Sequence, residues 1–155
     1  MPCLPVARVL ALVGGLALVA AYFMPWFGTQ GLILTGAFLS QLLGSTTDLR
    51  RLAPGMLGGP LEVQGLRVLV AFFPACGALA ALLMVVGAPR AALRRPTDVV
   101  AGICGVLALV ALVLGASRLP PGSTWEVGLW LIGLGGVAII GGVVWDAFAA
   151  VPDAR

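Results

Sequence analysis

Four runs of this chain, residues 9–27, 68–88, 99–117 and 127–145, pass without one charged side chain. A helix needs about 20 apolar residues to cross a hydrocarbon core of roughly 30 Å, so each run is read as a membrane-spanning helix. The balance of the chain agrees. Of 155 residues, 61% are hydrophobic and 10% charged, whereas a soluble domain carries about 25% charge. Mean hydropathy is +1.12. The runs are rich in glycine and alanine, which a lipid-embedded helix tolerates because its backbone groups bond to one another. The expected fold is all-α: one membrane domain over 1–155, built as a four-helix transmembrane bundle with an outer segment, 28–66, between the first two helices.

The segment 28–47 is also uncharged, and a fifth span has to be weighed. It contains Thr29, Gln30, Thr35, Ser40, Gln41, Ser45, Thr46 and Thr47, with glycines at 28, 31, 36 and 44. That is poor lipid contact and a weak helix. Instead, Pro25, Trp26 and Phe27 are expected to end the first span at the interface, where tryptophan favours the headgroup layer. "LILTGAFLSQLLG" then sets Leu34, Phe38 and Leu42 at helical spacing, which predicts a short helix on the membrane or across the outer mouth. Trp26, Phe27, Leu34, Phe38 and Leu42 are the candidate outer contact residues. A second short helix is expected from Ser45 or Thr46 up to Pro54.

The net charge of +3 comes from nine arginines against six acids. The arginines lie between the apolar runs and act as topology signals, which argues against nucleic-acid binding. The short linker "APRAALRRPTD" carries three of them and is assigned to the cytoplasm, as the positive-inside rule requires. Both termini then lie in the cytoplasm, and the expected location is a bacterial inner membrane. A cleaved signal peptide is the rival reading of the first run. Pro2, Pro5 and an apolar stretch continuing into "YFMPWF" oppose it.

Several chemistries find no residues. There is no histidine, the usual haem and zinc ligand. Cys3, Cys76 and Cys104 form no C-x-x-C spacing, so no metal or cofactor is expected. No triad or carboxylate pair can be assembled, and an enzyme is not expected. With no ionisable residue inside the four runs, proton-coupled transport or an ion pore built from this chain alone is not expected either. Cys76 and Cys104 sit at different depths in their runs and are read as small packing residues. Pro74, inside the second run, removes the donor that the carbonyl of Val70 would otherwise receive, which predicts a kink.

The last run carries a packing signal. Gly128, Gly135, Gly142 and Ala149 recur every seven residues, so they share a helix face along which another backbone can approach closely. Cys104, Ala108, Ala111 and Gly115 in the third run offer a matching stripe. Two readings stay open: packing within the bundle, or a docking face for another subunit.

The exit "MPWF…GLILTG" and the final helix "VGLWLIGLGGVAII" resemble those of small, uncharacterised four-span membrane proteins of bacterial genomes. The plan, a long first outer loop and short later ones, is also similar to claudin-like proteins, but their paired cysteines are missing from residues 28–66. Together these features point to a non-catalytic accessory or scaffold subunit that packs against partner membrane helices, another copy or the lipid bilayer. A small transporter or lipid-binding protein is the alternative.

Overall fold

The computed structural model describes residues 6–29, 32–44, 60–87, 91–117 and 124–149. In chain order these form α1 (Val6–Ala21), β1 (Pro25–Thr29), β2 (Leu32–Thr35), α2 (Gly36–Gly44), α3 (Pro60–Gly87), α4 (Ala91–Ala116), β3 (Thr124–Trp125) and α5 (Val127–Ala149). The chain is mostly helical. Three stretches are long and apolar enough to cross a membrane: Arg67–Gly87, Leu93–Ala116 and Val127–Ala149. The first helix is shorter. Its 16 residues make about 24 Å at 1.5 Å per residue, less than a hydrocarbon core.

Where α1 stops is decided locally. The amides of Tyr22, Phe23 and Met24 each bond back three residues, to Val19, Ala20 and Ala21, at 3.0–3.2 Å. Pro25 supplies no amide to continue the helix, and it biases the residue before it toward extended backbone. The helix expected to run to Phe27 is therefore corrected: it ends at Ala21, and Pro25 to Phe27 enter a strand instead.

α1 packs between α3 and α5, and α4 packs against both of these on the other side. The four helices form a ring with Leu18, Val70, Phe73, Met84, Ile132 and Ile139 buried within it. The outward faces are aliphatic: Val68 and Val113 are each 67% exposed and Leu134 64%, as lipid-facing positions require. α3 stays helical on both sides of Pro74.

The outer segment is not purely helical. A three-stranded sheet, order β2-β1-β3, sits at one end of the ring. β1 pairs antiparallel with β2 (Phe27 with Leu34, Gly28 with Ile33) and with β3 (Phe27 with Trp125, Gly28 with Thr124). The sheet thus ties the first outer linker to the last one. Leu34 belongs to β2 while Phe38 and Leu42 belong to α2, so the expected single helical stripe is split between two elements. α2 starts where Thr35 Oγ1 accepts the Phe38 amide at 3.1 Å, a side-chain cap. The described part of 28–47 is the end of β1, the strand β2 and the short helix α2, and α2 at nine residues is too short a helix to span a hydrocarbon core. The second short helix expected from Ser45, with Asp48, Arg50 and Arg51, lies outside the described residues, as does Arg118.

Candidate functional site

Helical periodicity places Arg8 on the same face of α1 as Ala7 and Ala11, and that face is buried. Arg8 is only 2% exposed. An isolated guanidinium could not remain there, because desolvation would cost far more than packing returns. Two acids from other helices meet it. Asp98 of α4 accepts from Arg8 Nη2 at 3.3 Å, and Asp146 of α5, 4% exposed, lies 3.7 Å from Arg8 Nε. Arg94, one turn before Asp98 on α4, completes the group. Its Nε donates to Asp146 Oδ2 at 2.9 Å while its Nη2 contacts Oδ1. This two-point fork is the strong form of an arginine–carboxylate bond.

The network holds two cations and two anions. It joins α1, α4 and α5 at the end of the ring opposite the sheet. Beside it, Gly87 closes α3 against α4: a Cβ there would lie 2.5 Å from Thr97 Oγ1. That hydroxyl donates to the carbonyls of Leu93 and Arg94 at 2.8 Å. The expectation of spans free of ionisable groups is corrected here. α1 begins early enough to include Arg8, α4 includes Asp98, and α5 runs past Asp146. Charge-free runs locate the middle of a span; they say nothing about a charged residue that finds its partner at the span's end.

The glycine face of the last helix is occupied from within. Cβ atoms on Gly14 and Gly135 would lie 2.6 and 2.8 Å from each other's carbonyl oxygens, and Gly142 sits against the backbone of Ala7 and Ala11. Gly128 faces Trp26. The seam therefore meets α1; Ala149, at its end, is exposed. The stripe expected to match it, on α4, supplies buried Cys104, Ala108 and Ala111, but the contact between α4 and α5 runs through Gly105 and Gly136 instead. α1 is notched on its other side as well, where Gly15 and Gly77 of α3 approach in the same way, at 2.8 and 2.6 Å. The adjacent glycines Gly14 and Gly15 let one helix touch two neighbours at backbone distance, and this double role was not anticipated.

At the sheet end, the register of β1 shifts between Pro25 and Phe27. Such an irregularity re-aims a side chain, and here it turns Trp26 inward to 3% exposure. Its indole Nε1 donates to the Ala21 carbonyl at 2.7 Å, and its ring meets Phe73 edge-on at 5.4 Å. Gly36 and Gly128 leave room for it; a Cβ on either would lie 2.7 Å or less from the ring. Trp26 is thus a buried plug, not an interfacial contact. Leu34 is half-buried and Phe38 is 45% exposed, while the side chains of Phe27 and Leu42 lie outside the described set. Trp26→Phe should keep the plug and lose its hydrogen bond, costing about 1–2 kcal/mol. Denaturant titration of the detergent-solubilised protein reads that loss.

Cys76 and Cys104 are both buried and free, and the thiols are neighbours across the α3–α4 contact. Their expected difference in depth is corrected: the two helices run antiparallel and bring them level. Among the described residues no group of three acidic or cysteine side chains could hold a metal ion. Shallow apolar grooves face outward at two places among the described residues. One, of about 310 Å³, is lined by Gly141, Val144, Trp145 and Phe148 on α5. The other, of about 260 Å³, runs between α3 and α4 beside Phe72 and Leu107. Comparisons with protein-family models, curated proteins and solved structures return no match.

Proposed function

We propose that the chain is a four-span protein of the bacterial inner membrane with both termini in the cytoplasm, serving without catalysis as an accessory or scaffold subunit. The observation that carries this reading is how the interior is used. Helix backbones meet at Gly14–Gly135 and Gly15–Gly77, and Trp26 fills the sheet end. The buried charged residues Arg8 and Asp146 pair with Asp98 and Arg94. Among the described residues the outward aliphatic faces and the shallow grooves offer contact, and they suit partner helices or lipid chains.

The short α1 counts as the fourth span for a physical reason. It is held on two sides by glycine contacts, and removing it would leave Asp98 and Asp146 without Arg8. For the same reason cleavage after α1 is not part of this proposal. The arginines at 90, 94 and 95 support a cytoplasmic network end, by the positive-inside rule.

Purification from native membranes in mild detergent tests the reading. A stoichiometric partner chain, or a defined oligomer of this one, is the expected result. A monomer that carries bound lipid and no protein would replace the scaffold reading with lipid binding in the grooves.

A further inference from the structure

We propose that Asp98 and Asp146 share one exchangeable proton, taken up from the aqueous phase at their end of the bundle, so that the ionic network is a proton-binding site. The two carboxyl groups come from different helices and converge on one guanidinium, Asp98 Oδ1 at 3.3 Å from Arg8 Nη2 and Asp146 Oδ2 at 3.7 Å from Arg8 Nε. Carboxylates that share a site resist being ionised together, and their titration belongs to the pair. Among the described residues the surrounding groups are few. Arg8 faces the pair from α1, Arg94 from α4 and Thr97 beside it, while the described end of α3 presents Val85, Val86 and Gly87 with nothing ionisable.

Three features make one proton exchangeable. Asp146 is held by the Arg94 fork in addition to Arg8, whereas Asp98 has, among the described residues, the single Arg8 contact at 3.3 Å. Asp98 is the carboxyl that accepts the proton. The site is also reachable from water: the side chain of Arg94 is 43% exposed and that of Asp98 15%. Finally, Arg8 Nε is buried with no hydrogen-bond partner among the described residues, 3.7 Å from Asp146 Oδ2. A buried donor without a partner calls for an explanation. Here it is a reserve: when Asp98 becomes neutral, a small rotation lets Arg8 bond Asp146 through Nε, and the guanidinium keeps an anionic partner. Proton uptake takes the network from neutral to one positive charge, with the proton drawn from water.

The test is infrared difference spectroscopy of the full chain in phosphatidylcholine liposomes, labelled with carboxyl-¹³C aspartate and stepped from about pH 8 to about pH 4, the range that brackets ordinary carboxyl titration. The expected result is a reversible aspartic-acid carbonyl band whose amplitude in the wild type exceeds that of Asp98→Asn by one carboxyl, the remainder in both proteins coming from Asp48 and Asp153. If Asp98→Asn fails to fold, Arg94→Gln serves: loss of the cation on Asp146 should move the band's midpoint to higher pH. A spectrum unchanged by Asp98→Asn, or a midpoint unmoved by Arg94→Gln, overturns the proposal and leaves the scaffold reading untouched.

Discussion

Gly14→Leu is expected to prevent the bundle from assembling. A Cβ at this position lies 2.6 Å from the Gly135 carbonyl oxygen and 2.9 Å from the Ile139 amide nitrogen. Both atoms are backbone, so neither can swing aside. The helices would have to separate along the whole seam, which also carries Gly142 against Ala7 and Ala11. In lipid, close packing is the main attraction between apolar helices, since lipid chains are as oily as leucine. Overpacking a well-filled core costs about 1–3 kcal/mol even when side chains can adjust; here they cannot, and a loss beyond that range is expected. Gly141→Leu is the control. A Cβ on Gly141 meets only the far end of Leu10, at 3.9 Å, so this variant should stay folded. Unfolding in mixed micelles separates the two. Equal behaviour of both variants would show that the seam is not where the helices cross.

Asp146→Ala is expected to cost about 3–5 kcal/mol, the loss seen when one partner of a buried ion pair is removed. The substitution leaves Arg8, 2% exposed, with Asp98 alone, and frees Arg94. The half-exposed side chain of Arg94 can turn to water. Arg8 cannot. The cost comes from the stranded charge and not from the missing carboxylate. The triple replacement Arg8→Met, Asp98→Leu, Asp146→Leu should then recover most of the stability, because apolar groups of similar volume replace a buried ionic set at little cost. A triple variant as unstable as Asp146→Ala would refute that explanation. Equilibrium unfolding of all three proteins in the same detergent decides it.

Much of the architecture was legible in the residues. The three long helices fall where uncharged runs predicted them, and glycines 128, 135 and 142 do lie on a packed face. What misled was local. The polar segment 28–47 looked like a short helix because Leu34, Phe38 and Leu42 have helical spacing, yet Leu34 pairs with Phe27 in a sheet. That sheet is completed by Thr124 and Trp125, nearly 100 positions away in the chain, which no window of periodicity can register. The candidate site was hidden for a related reason. Arg8, Arg94, Asp98 and Asp146 were visible as the flanks of apolar runs, and flanking charges ordinarily face water.

By itself the chain determined its solvent. Apolar runs about as long as a hydrocarbon core is thick commit the backbone to helices, because lipid offers no other partner for its amides and carbonyls. Spacing of seven also determined which glycines share a face. Only the tertiary structure decided that this face meets α1, that a shifted strand register turns Trp26 inward, and that Arg8 is enclosed with Asp98. The physical reason is that a repeat orders residues around one helix axis but holds nothing about the neighbour. Whether a buried arginine is ruinous or stable depends on a carboxylate 90 positions further along the chain.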